Sequence, residues 1–96
     1  MFHPERPYRC APGVALRPER FGALAYDFRT RRLSFLKSPE LVRVVTALGD
    51  HPDVHAALDA AQVAPGRRES CLRALAALAA SGVVEARGEQ MPERAA

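Results

Sequence analysis

Two stretches of alternating apolar and polar residues, Phe21-Gly22-Ala23-Leu24-Ala25-Tyr26-Asp27-Phe28 and Arg32-Leu33-Ser34-Phe35-Leu36, are separated by only Arg29-Thr30-Arg31. Side chains on a strand alternate between faces, so Leu24, Tyr26 and Phe28 share one face of the first stretch and Ala23, Ala25 and Asp27 the other. Leu33 and Phe35 fall together on one face of the second. Three residues are too few for the crossover that parallel strands need, so the two strands pair antiparallel. Val14-Ala15-Leu16-Arg17 alternates more weakly and is closed by Pro18, which suits a short edge strand because proline has no N–H for the ladder. The three form a β-meander whose last strand, Arg32–Leu36, ends at an open edge.

At Ser38-Pro39-Glu40 the pattern changes to a helix start. The serine hydroxyl accepts an orphan N–H, proline fits the first helical position, and glutamate suits the positive end of the helix dipole. Leu41, Val44, Val45 and Leu48 recur at helical spacing until Gly49. A second helix starts near Asp50 to Pro52, presents Val54, Ala57, Leu58 and Ala61, and ends about Gln62. A third runs from about Arg67 to Ala80 and stops at Ser81-Gly82. Its apolar stripe is Leu72, Leu75, Ala79 and Val83, flanked by Cys71 and Leu78. The face bearing Ala76, Ala77 and Ala80 is small enough to let another backbone come close. Val83-Val84-Glu85-Ala86 either adds a short strand or packs across the core. The fold class is α+β, winged helix-turn-helix-like, with a three-stranded antiparallel meander followed by three helices.

The boundaries are set by proline and polarity. Pro4, Pro7 and Pro12 mark residues 1–12 as a flexible, irregular arm, residues 13–87 form the domain, and 88–96 read as a polar, frayed tail. Ninety-six residues make one domain with a modest core. No apolar run approaches the 18 or so residues of a membrane span, and the start lacks the basic-then-apolar order of a signal peptide. A cytoplasmic protein that touches no membrane is expected. Cys10 and Cys71 cannot make a disulfide framework, and reduced thiols are expected.

Residues 1–38 hold eight basic side chains against three acidic ones, and residues 39–96 hold six against eight. The basic first half favours an acidic ligand, peptide or phosphate. Material for catalysis is poor. His51 and His55 stand at i, i+4, a spacing that suits one metal, but the glutamate of a zinc hydrolase motif and a third ligand are missing. Cys71 sits among leucines as a small apolar filler, and Cys10 has no CxxC partner. Phosphate loops, paired carboxylates and Ser/His/Asp signatures are absent. The chain reads as no enzyme, with no metal and no cofactor of its own.

Two binding readings remain. A winged helix would aim Arg67, Arg68 and Arg73 at nucleic acid, although Glu69 opposes them and the alanines nearby offer base edges no hydrogen bonds. Alternatively, the proline-free strand Arg32–Leu36 pairs with an incoming extended peptide, the third helix forms a groove wall, and Arg31, Arg32 and Lys37 attract acidic side chains. Those charges would equally well guard the edge against aggregation.

Leu16-Arg17-Pro18-Glu19, Phe21-Gly22-Ala23-Leu24-Ala25-Tyr26, Arg31-Arg32-Leu33-Ser34-Phe35-Leu36, Ser38-Pro39 and Leu41-Val42-Arg43-Val44-Val45 occur in this order. The set closely resembles the mycofactocin precursor-peptide-binding chaperones of actinobacteria, which belong to the PqqD-like peptide-recognition elements. The likeness spans about Pro12 to Val84. It implies a non-catalytic, cofactor-free protein that takes the leader of a ribosomally made precursor peptide as an extra strand and presents it to a radical S-adenosylmethionine maturase. No nucleic acid is then a partner, and the open edge also allows a homodimer. The positions implied for peptide binding are Arg31, Arg32, Leu33, Ser34, Phe35 and Leu36 on the strand and Arg68, Cys71, Leu72 and Leu75 on the third helix. If Leu72 and Leu75 belong to the core, Arg68 and Cys71 are the nearer helix contacts.

Overall fold

The computed structural model describes residues 2–87. The expected tail, 88–96, lies outside the described residues. Strand β1 is Tyr8–Cys10, followed by β2 (Val14–Glu19), β3 (Gly22–Asp27) and β4 (Arg32–Leu36). Helices α1 (Pro39–Ala47), α2 (Val54–Ala60) and α3 (Arg68–Ser81) come next, and β5 (Val84–Ala86) closes the domain. The architecture is α+β. Strands β2, β3 and β4 form an antiparallel meander in that order, and β1 pairs antiparallel with β5 in a second, two-stranded sheet.

The two faces of β3 are used in an unexpected way. Its small side chains, Ala23 and Ala25, face the core together with Asp27, whereas Leu24 and Tyr26 are only half-buried and Phe28 is exposed. Alanine methyls let α1 approach the sheet closely, and the bulk of the core comes from the helices. Leu36 of β4, Leu41, Val44, Val45 and Leu48 from α1 and the turn after it, Val54 and Leu58 of α2, and Leu75 of α3 are all buried. The α1 stripe therefore packs as its spacing indicates. In α3 the buried stripe is Cys71, Leu75 and Leu78, with Leu72 only half-buried against it.

The helix ends follow their local chemistry. Ser38 Oγ accepts the Leu41 N–H at 3.1 Å, with Pro39 at the first helical position. Asp53 caps α2 by accepting the Ala56 N–H at 2.8 Å, so that helix starts slightly later than the Asp50–Pro52 expected from sequence. Gly82, at φ +88, ends α3 in a left-handed turn, and the Val83 N–H reaches back to the Leu78 carbonyl. In the tight β2–β3 turn, Gly22 adopts φ +151, and a Cβ there would meet the Leu36 carbonyl oxygen.

The first dozen residues are not an irregular arm throughout. Tyr8–Cys10 forms β1, Tyr8 and Ala11 are buried, and Phe2 packs on Tyr8 with ring centroids 4.9 Å apart. The prolines permit this because they stand outside the three-residue strand and contribute only carbonyls. Pro4 accepts the Val54 N–H at 2.9 Å, and Pro7 accepts the Arg87 N–H at 3.0 Å. A missing N–H does not matter where only an acceptor is needed. Val84–Ala86 takes the strand alternative left open by the sequence, its pairing reinforced by Arg9 on Glu85 at 2.6 Å.

Candidate peptide-binding edge

Among the described residues strand β4 borders the meander, with β3 on one side only. The register identifies which of its main-chain groups are spare. The Phe28 N–H donates to the Gly13 carbonyl at 2.9 Å, on the β2 side. Main-chain groups alternate in direction along a strand, so Leu24 and Tyr26 also bond toward β2, and Ala23, Ala25 and Asp27 bond toward β4. Their partners on β4 are Leu36, Ser34 and Arg32. The N–H and C=O groups of Leu33 and Phe35 therefore point away from the sheet. Side chains alternate with the same period, so Leu33 and Phe35 also stand on the outer face, beside Tyr26 and Leu24.

Beside this edge lies a groove of about 290 Å³ between β4, α1 and α3, lined by Phe35, Lys37, Leu41, Ala74, Ala77 and Leu78. The lining is mostly apolar, and the two alanines keep the α3 wall low. A larger hollow of about 440 Å³ lies on the other flank of α3, among Phe2, Tyr8, Ala76, Ala80 and Val84. It does not border the β4 edge, so the smaller groove is the one a strand paired to β4 would overlie.

The strand positions implied by resemblance, Arg31 to Leu36, are contiguous along this edge. Arg31, Arg32, Leu33 and Phe35 are exposed, Ser34 is half-buried, and Leu36 turns fully into the core. The α3 positions are distributed differently. Cys71 and Leu75 are core residues whose side chains do not line the groove. Leu72 is half-buried against the core. Arg68 is drawn toward α2, donating to Asp59 at 2.5 Å and to the Val63 carbonyl at 3.3 Å. The α3 residues that line the groove are Ala74, Ala77 and Leu78. Helical periodicity finds buried stripes, and a groove wall runs along the border of a stripe. The run of alanines was the available signal, and Ala77 was part of it.

At the opposite end of β3, Asp27 is buried beneath a bidentate contact from Arg29, whose Nε and Nη2 donate at 3.0 Å each. Arg29 also reaches the Gly82 carbonyl at 3.1 Å, tying the β3–β4 turn to the end of α3. These hydrogen bonds hold the Asp27 carboxyl at about 2, against the opposing pull of burial. Both thiols are free. Burial raises the Cys10 pKa, with Glu85 adding to it, and burial with Glu40 nearby raises that of Cys71. Neither is placed to act as a thiolate nucleophile.

The cations a DNA-binding reading would use are engaged within the chain. Arg67 pairs with Glu40 at 2.5 Å, Arg68 with Asp59 at 2.5 Å, and Arg73 with Glu69 at 3.3 Å. Among the described residues no group of three His, Cys, Asp or Glu side chains is placed to hold a metal ion. No helix there is long and apolar enough to cross a membrane.

Fold and edge together define a small α+β domain whose meander ends at β4, beside an apolar groove walled by α1 and α3. The family model described as "Peptide chaperone MftB family" matches residues 7–85, and the chain belongs to that family. It is a non-catalytic peptide chaperone. It is 50% identical over 80 residues to the peptide chaperone MftB of Mycobacterium ulcerans (strain Agy99), covering 83% of this chain and 73% of the relative. Identity to the peptide chaperone MftB of Mycolicibacterium smegmatis is 48% over 83 residues, covering 86% and 81%. With that of Mycobacterium tuberculosis it is 46% over 83 residues, covering 86% and 76%. No solved structure matches the chain.

Proposed function

We propose that the chain binds the leader of a ribosomally made precursor peptide by strand addition on β4 and presents it to a radical S-adenosylmethionine maturase in mycofactocin biosynthesis. The observation that supports this is the pair of main-chain groups at Leu33 and Phe35 that point away from the sheet and have no partner among the described residues, directly beside an alanine-walled apolar groove. A guest strand takes its affinity from the main chain of those two residues and its selectivity from alternate side chains. Guest residues opposite Ser34 and Leu36 point inward, toward Ala74, Ala77 and Leu78, and those between them stand outward beside Leu33 and Phe35. Arg31, Arg32 and Lys37 lie at the two ends of β4 and hold acidic guest side chains. The maturase supplies the iron–sulfur and S-adenosylmethionine chemistry, and this chain supplies position. A second copy pairing through the same edge would compete with the leader.

The test is calorimetric titration with the cognate leader, using two proline variants. Leu33→Pro removes an outward donor and leaves the β3–β4 ladder intact, so leader binding falls while the fold persists. Ser34→Pro removes a donor to β3 and lowers the melting temperature instead. A folded Leu33→Pro protein that binds leader as well as Leu33→Ala does would refute strand addition.

A further inference from the structure

Among the described residues nothing covers the outer face of the meander. Leu24 and Tyr26 from β3 and Leu33 and Phe35 from β4 stand on it, away from the helices, and Phe28, just past β3, packs against Tyr26. Phe28, Leu33 and Phe35 are 65%, 59% and 55% exposed. The rings are already organised: Phe21 stacks on Phe35 with centroids 5.8 Å apart, and Phe28 meets Tyr26 edge-on at 4.8 Å. Isolated exposed apolar residues need no explanation, but a contiguous aromatic patch marks an interaction surface.

The rim selects the occupant. Between Val14 and Lys37 there are six basic side chains and two carboxylates. Glu19 takes Arg17 at 3.4 Å and Asp27 takes Arg29 at 3.0 Å. Arg20, Arg31, Arg32 and Lys37 have no carboxylate within 4.0 Å among the described residues. Arg20 and Lys37 sit at one end of the sheet, and Arg31 and Arg32 at the other. A second copy docked face to face would set these unpaired cations against like charge. A surface with carboxylates at both ends would neutralise Arg20 and share Arg31, Arg32 and Lys37 with the acidic side chains of the guest. The face also continues into the groove along β4, because Phe35 belongs to both. A guest strand occupies the edge and leaves the face open, and its outward side chains widen the patch by one strand.

We propose that this face docks a second protein presenting an apolar patch within a carboxylate rim, and that this protein is the peptide-modifying enzyme. The proposal rests on the peptide-chaperone reading above. Peptide and enzyme would bind side by side, the enzyme touching alternate guest side chains, so each would tighten the other.

The experiment uses the full chain, its precursor leader and the purified cognate radical S-adenosylmethionine maturase, with Phe28→Glu and Arg20→Glu as variants. Both side chains are exposed and outside the groove, so folding and leader affinity are expected to be retained. Maturase affinity should fall at least about tenfold in Phe28→Glu, as expected for loss of a central aromatic anchor. In Arg20→Glu it should lose part of its salt dependence. Maturase affinity unchanged in both variants, with leader binding intact, would overturn the docking surface and leave the chaperone reading standing. Wild-type dimers that Phe28→Glu dissociates would also overturn it, since the occupant would then be a second copy. A wild-type chain that binds no leader would remove the reading on which the proposal rests.

Discussion

Ala77 stands on the exposed side of α3, within the wall of the groove beside β4. Replacing it with leucine places an isobutyl group in a space of about 290 Å³ that a guest side chain opposite Ser34 or Leu36 would occupy. Burying one apolar guest side chain is worth about 1.5–3 kcal/mol. At 1.4 kcal/mol per decade, denying it that seat weakens binding about ten- to 150-fold. The fold has no reason to suffer, because the site is exposed and leucine lies close to alanine in helix propensity. One kcal/mol moves the melting point of a domain this size by about 4–8 °C. A change within about 2 °C is therefore the expected control. Fluorescence anisotropy with a labelled leader reads the affinity, and circular dichroism reads the melting point. A variant that melts normally and binds leader with wild-type affinity would show that the guest does not sit in this groove.

The Asp27–Arg29 clamp gives the fold an acid limit. The folded carboxyl titrates at about 2 and the unfolded one near 3.8, so its contribution is complete above the unfolded value and is lost as pH falls through the folded one. Melting temperature should be flat in this respect above about pH 4 and decline between about 4 and 2; a scan of Asp27→Asn showing the same decline would assign it elsewhere. Leu75→Ala should cost about 2–5 kcal/mol in a denaturant titration, because Leu75 is fully buried. Leader affinity measured on the folded variant should stay near wild type, and a large loss there would return Leu75 to the binding surface.

Much of the architecture is legible in the chain because it depends on local chemistry. The short link between Phe28 and Arg32 allows only antiparallel pairing, Ser38-Pro39 starts a helix, Gly82 ends one, and Leu41, Val44, Val45 and Leu48 mark the buried side of α1. Two features escape this kind of reading. Prolines at 4, 7 and 12 suggest an irregular arm, yet the backbone between them forms β1 because β5, more than seventy residues away, supplies the partner. The core face of β3 also runs against side-chain size. Alanine is buried and phenylalanine exposed, since close helix packing rather than bulk decides which side of that strand is covered.

The second of these also decides which residues form the proposed binding edge. Along a strand, side chains and main-chain groups alternate with one shared period of two. Once Ala23 and Ala25 face the helices, Leu36 must be the inward residue at the end of β4, as its complete burial shows. Leu33 and Phe35 are then forced to be outward in both senses, with main-chain groups directed off the edge and apolar side chains on the face turned away from the helices. A one-residue slip of β4 would give that double role to Ser34 and Leu36, and it would bury Leu33 and Phe35 against the helices. The register that stabilises the core is therefore the same register that sets which residues form the proposed binding edge. Composition cannot reveal it, because either register uses the same amino acids; the pairing of Ala25 with Ser34 and the complete burial of Leu36 distinguish them.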